Sequence, residues 1–87
     1  FLAGTVKMLS DIAVRNNKPE DGINILNKGI RINLNNNIDS EFKLAKVLIH
    51  IDMGDNKTAQ KILRDILSKK NLASNIKQRS EELMGMM

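Results

Sequence analysis

The segment Leu48–Leu63, LIHIDMGDNKTAQKIL, joins two runs of helical periodicity across a glycine. Its histidine and its two aspartates stand close enough in sequence to raise the question of a metal or catalytic site. On a helix His50 and Asp52 would lie about 200° apart around the axis, whereas a helical metal pair needs a spacing of three or four. Asp55 lies past the glycine, where it or Asn56 can cap the orphan N–H groups of a following helix. Asp52, Gly54 and Asn56 do not make a calcium loop, because the glycine comes too early and the closing glutamate is missing. GDNKT lacks the first glycine and the spacing of a phosphate-binding loop. The segment therefore reads as a corner between two helices, with Gly54 as the C-terminal stop.

Helical spacing extends outward from this corner in both directions, and no alternating strand pattern persists. A helix over about Ser40–Met53 precedes it, carrying Leu44, Ala45, Leu48 and Ile51, with Asp39 or Ser40 as its cap. LNNNIDS before it is the longest loop signal. A helix over Lys57–Lys69 follows, with Ala59, Ile62, Leu63 and Ile66 on one face. Upstream, Leu2–Arg15 places Val6, Leu9, Ile12 and Ala13 on one side. NNKPED then breaks it. Asn17 or Lys18 can cap the next helix, Pro19 suits a first turn, and Glu20 and Asp21 favour the positive helix start. That second helix, to about Asn33, buries Ile23, Leu26 and Ile30. A fifth helix over about Leu72–Met84 closes the chain, with Gly85 ending it and Met84 packing at the helix end. Met86 and Met87 either pack on the fourth helix or form a tail toward a neighbour.

The pattern repeats internally. At a shift of 37 the second helix falls on the fourth: Gly22 on Ala59, Leu26 on Leu63, Gly29 on Ile66, and Asn17 on Gly54, corner upon corner. The first and third helices align better at 35, which sets Leu9 on Leu44, Ser10 on Ala45 and Ala13 on Leu48. The expected class is all-α: two antiparallel helical hairpins (about 2–33 and 40–69) and a closing helix (about 72–84).

Leu44-Ala45, Gly54 and Ala59, and in the first unit Leu9-Ser10, Asn17, Gly22 and Gly29, resemble the tetratricopeptide repeats. In that family a small residue follows a large one in the first helix, then comes a turn glycine, then further small residues. The departures are the 37-residue spacing, the large Ile66 at a small position, and the lack of the usual tyrosines and prolines. Over about Glu41–Leu67, KLAKVLIHIDMGDNKTAQKILRDIL is similar to the C-terminal repeat segment of FimV-type bacterial polar hub proteins. That likeness implies a cytoplasmic protein-binding domain connected with pilus function. The small repeat-built chaperones of type III secretion needle subunits are a further relative in shape. The repeat resemblance implies a right-handed solenoid whose first helices line a concave face for a peptide or a partner's helix. Carried across by position, the partner-binding residues are Lys7, Met8, Asp11, Val14 and Arg15 on the first helix. On the third they are Phe42, Lys43, Lys46, Ile49 and His50. Basic groove residues would favour acidic partners. Asp11, four residues after Lys7, speaks against the capture of a C-terminal carboxylate.

Composition bounds the function. The 87 residues hold no cysteine and one histidine, which leaves little for nucleophilic or acid–base chemistry, so no catalysis, metal or cofactor is expected. The missing cysteine fits a cytoplasmic protein, and no apolar run approaches the length of a membrane span. Phe1–Asp55 carries seven basic and seven acidic residues. Asn56–Arg79 carries seven basic against Asp65, so the net charge of +4 belongs to the last third. Lys57, Lys61 and Arg64 form a stripe on the back of the fourth helix. With Lys69 and Lys70 it offers the alternative of nucleic-acid binding, against which stands a content of two aromatic residues. The start at Phe1 is that of a processed product or a piece of a longer protein. Phe1-Leu2 is an apolar start for a stack, which preceding repeats or self-association would cover.

Overall fold

In the computed structural model, which describes residues 3–32 and 36–87, five helices succeed one another: α1 (Ala3–Arg15), α2 (Pro19–Ile32), α3 (Asn36–Asp52), α4 (Asn56–Leu67) and α5 (Ser74–Met86). The described residues include no strand. Consecutive helices pack on each other from α1 to α5, and α3 also touches α1 and α5. That makes α3 the central element.

The corner after α3 is a Schellman motif. Gly54 sits at φ 79°, its N–H donates to the Ile51 carbonyl at 3.0 Å, and the Asp55 N–H donates to the His50 carbonyl at 2.8 Å. The corner after α1 has the same bonds: Asn17 at φ 61°, Asn17 N–H to Val14 O at 3.0 Å, and Lys18 N–H to Ala13 O at 2.9 Å. Every atom pair is displaced by 37 residues. The corners thus set α1 on α3 at 37, not at the 35 that apolar matching favours. Asn17 is the left-handed residue of α1's corner rather than a cap for α2. Asp55 caps α4, its Oδ1 accepting the Thr58 N–H at 3.2 Å.

A left-handed residue favours glycine, so the two corners should respond oppositely to substitution. Gly54→Ala is expected to destabilise the fold by about 1–2 kcal/mol, because Cβ then meets the carbonyl oxygen in the left-handed region. Asn17→Gly is expected to be neutral or slightly stabilising. Urea unfolding followed by circular dichroism measures both.

Two core clusters meet at α3. Leu26, Phe42 and Ile49 form one, joined by Val6, Val14, Ile23 and Ile30. Leu44, Val47, Ala59, Leu63, Ile66 and Ile76 form the other. At the 37-residue displacement Ser10 answers to Val47, Gly22 to Ala59, Leu26 to Leu63 and Gly29 to Ile66, and all eight are buried. The expected faces of α2 and α4 are the buried ones. Those of α1 and α3 are partly turned: Leu9 and Ile12 are 49% and 44% exposed, and Leu48 is 38% exposed. In their place Ser10 lies against α2, its Oγ donating to the Gly22 carbonyl at 3.1 Å. A Cβ on Gly22 would stand 3.1 Å from the Ser10 carbonyl oxygen, so the α1–α2 approach depends on a minimal residue there.

α3 begins four residues before the expected Ser40. Tertiary bonds hold that added turn: the Asn37 side chain accepts the Ala73 N–H at 3.2 Å, and Asp39 pairs with Lys69 at 2.5 Å and Lys43 at 3.2 Å. The rest of the loop signal, 34–35, lies outside the described residues, as do Phe1, Leu2 and Asn33, the expected end of the second helix. Lys69, expected in α4, lies beyond its end at Leu67 and pairs with Asp39, and Lys43 also reaches Asp65 at 2.7 Å. At the other end α5 continues through Gly85 to Met86 instead of stopping at Met84. Met84 and Met87 pack on the core, and Met86 is 80% exposed.

Burial pushes the Asp39 carboxyl up, but the hydrogen bonds and positive charge of Lys69 and Lys43 together outweigh it and hold the carboxyl below its ordinary value. The folded state therefore binds this proton less readily than the unfolded chain. The stabilisation is complete above the unfolded value of about 3.9 and is lost as pH falls through the folded one. Asp39→Asn is expected to cost about 1–2 kcal/mol at pH 7. Its deficit relative to wild type should shrink as pH drops below about 4. Urea midpoints of the two proteins across that range test the sign.

Candidate functional site

The third helix supplies both the quoted corner and the wall of a groove. An open depression of about 410 Å³ runs between α1, α3 and α5. α1 contributes Lys7, Ser10, Asp11 and Val14, which recur at spacings of three and four and so share one face. α3 contributes Glu41, Leu44, Ala45, Leu48, Ile49 and Asp52, and α5 adds Asn75, Ile76 and Arg79. The apolar side chains form a floor, of which Leu48 is the most exposed member. Three carboxylates (Asp11, Glu41, Asp52) and two cations (Lys7, Arg79) stand around it, and none of the five forms an ion pair with another described residue.

Of the residues expected to bind a partner, Lys7, Asp11, Val14 and Ile49 line this groove. Met8 and Arg15 are exposed on α1 but outside its lining. Phe42 is a correction: it is 0% exposed and belongs to the core. Lys43, Lys46 and His50 lie outside the lining of this groove. Lys43 is tied to Asp39 and Asp65, and Lys46 borders hollows toward α2 and α4. The cause is the register. Moving Lys7, Met8, Asp11, Val14 and Arg15 by 35 gives Phe42, Lys43, Lys46, Ile49 and His50. Moving them by the 37 of the corners gives Leu44, Ala45, Leu48, Ile51 and Asp52, and all but Ile51 line the groove. The groove is consequently acidic by one charge rather than basic.

His50 and Asp55 belong to the corner. His50 Nδ1 lies 3.4 Å from Asp55 Oδ2, while Asp52 points into the groove lining. Hydrogen bonds from Thr58 hold the Asp55 carboxyl below its ordinary value. Among the described residues no group of three or more His, Asp or Glu side chains is placed to hold a metal. On α4 Lys57, Lys61 and Arg64 are exposed, and Lys69 is drawn off to Asp39. Among the described residues no helix is long and apolar enough to cross a membrane.

No protein-family model, curated protein or solved structure matches the chain.

Proposed function

We propose that this chain is a non-catalytic protein-binding module, a tetratricopeptide-like stack of two helical hairpins and a closing helix. It holds a peptide or a partner's helix in the groove between α1, α3 and α5. One observation carries the reading. Lys7 and Asp11 of α1 and the positions 37 residues on, Leu44 and Leu48 of α3, wall a single open groove whose floor is apolar and whose rim charges have no ion-pair partner among the described residues. Burial of an apolar side chain against Leu44, Leu48 and Ile76 would supply affinity. Asp11, Glu41 and Asp52 would select basic residues in the ligand and speed encounter. The acidic rim replaces the acidic-partner preference that a lysine-lined groove would have had. Duplex or single-stranded nucleic acid is disfavoured at this groove for the same reason.

The test is selection of peptides from a displayed library on the wild-type protein, followed by binding of the enriched peptides to two folded variants. Leu48→Glu places a charge on the groove floor. Lys57→Glu/Arg64→Glu changes the back of α4. Enriched peptides that are apolar and basic, lose affinity for Leu48→Glu and keep it for the α4 variant fit the proposal. A library that enriches nothing, or peptides indifferent to Leu48→Glu, would overturn it.

A further inference from the structure

The opposite side of α3 carries a different surface. Two neighbouring hollows, one toward α2 and one toward α4, share Lys43 and Lys46 as a common wall. Lys28 and Arg31 border the first, and Lys61 and Asp65 the second. Five cations thus meet one carboxylate, and that carboxylate is bound to Lys43 at 2.7 Å. Asp39, which also pairs with Lys43, is shared with Lys69. Lys28, Arg31, Lys46 and Lys61 have no ion-pair partner among the described residues.

Lys46 is the most telling of the four. It is half-buried, and burial followed by the charge of Lys43 pushes its ammonium below the ordinary lysine value, with Asp39 offsetting only part. A partly desolvated cation beside a like charge is an unfavourable arrangement until an anion joins it. The same two hollows expose aliphatic surface, Ile30 in the first and Ile62 in the second.

We propose that this cleft across α2, α3 and α4 docks an acidic peptide segment, its carboxylates on Lys28, Arg31, Lys46 and Lys61 and an aliphatic side chain against Ile30 or Ile62. The apolar elements decide between a peptide and a nucleic acid. A phosphate backbone has no use for Ile30 and Ile62, and the one aromatic among the described residues, Phe42, is buried and offers bases no stacking surface. The site is separate from the α1–α3–α5 groove: α3 presents Lys43 and Lys46 here, and Leu44 and Leu48 there. The chain would then join two ligands of opposite charge on two faces of one central helix.

Fluorescence anisotropy tests this with a labelled peptide of glutamate pairs separated by leucines. Controls are the same peptide with glutamine for glutamate, and a short labelled DNA, single-stranded and duplex. Arg31→Glu/Lys61→Glu is compared with Lys57→Glu/Lys70→Glu, a pair of equal charge change outside the cleft. Lys46→Gln removes the central ammonium while leaving the exposed rim. All variants are checked for folding by circular dichroism. The expected result is saturable binding of the glutamate peptide that weakens about tenfold in Arg31→Glu/Lys61→Glu and in Lys46→Gln, but about twofold or less in the other pair. The glutamine peptide should not bind, and Leu48→Glu should leave binding intact, which separates this site from the groove. Equal losses in the two charge-matched pairs would mean bulk charge alone and overturn the proposal. So would tighter binding of DNA than of peptide, or the absence of saturable binding.

Discussion

Phe42→Ala is expected to lower the unfolding free energy by about 3–5 kcal/mol, a large share of the roughly 4–13 kcal/mol that a chain of this size has. The ring is fully buried in one cluster with Leu26 and Ile49, and it lies against Gly29 of α2. Removing it leaves a cavity between two helices whose packing on each other depends on it, so little collapse can refill the space. Urea unfolding followed by circular dichroism should show a strongly lowered midpoint. The same experiment separates the core role of Phe42 from a groove role. A near-wild-type midpoint, combined with loss of ligand binding, would place the ring on the binding surface and refute the packing described above.

Gly29 is the partner of that ring, and a side chain there should cost more the larger it is. A Cβ at Gly29 would stand 2.7 Å from one ring carbon of Phe42 and 3.1 Å from a methyl of Val6. Alanine in a helix is favoured over glycine by about 1 kcal/mol, but forcing a buried aromatic ring aside costs about 1–3 kcal/mol, so Gly29→Ala is expected to be net destabilising. Gly29→Leu, with three further carbons and no space for them, should abolish cooperative unfolding. A double-mutant cycle with Phe42→Leu gives the sharper test. The smaller leucine side chain in that variant removes the clash, so adding Gly29→Ala to it should cost nothing or should stabilise. Additive losses would mean that the two residues do not share the contact. Position 66 makes the complementary point: the chain has isoleucine there, fully buried, where the first unit leaves room at Gly29 for the ring of Phe42.

The corner in LIHIDMGDNKTAQKIL was legible from residue types alone. Gly54 is a residue that tolerates a left-handed backbone, Asp55 is a residue that caps, and His50 and Asp52 are spaced too closely to share a helical face. The faces of α2 and α4 were legible too, because each buries one stripe and wets the other. The same reasoning could not orient α3. As the central helix it is packed by α2 on one side and by α4 and α5 on another, with Phe42 and Ile49 in one cluster and Leu44 and Val47 in the second. Apolar residues therefore run most of the way around it, and matching large residues to large residues selected a register two residues off. The better signal was already present in Asn17 lying on Gly54, since a corner is set by backbone hydrogen bonds and constrains register more tightly than side-chain size does.

By itself, then, the sequence determined the helical class, the two glycine- and asparagine-based corners, the 37-residue correspondence of α2 with α4, and the absence of a motif with recognisable catalytic spacing. These are local properties: backbone conformations, caps and one-sided periodicity act within a few residues of the side chains that cause them. Tertiary structure alone decided which face of α3 opens to the groove, that Phe42 is core, and that Lys43 and Lys46 lie on the opposite side from Leu48. It also decided where α3 starts, through Asp39–Lys69 and Asn37–Ala73, pairs 30 and 36 residues apart. Those outcomes depend on groups distant in the chain competing for the same surface, and a central helix with apolar residues most of the way around it records the competition without recording its result.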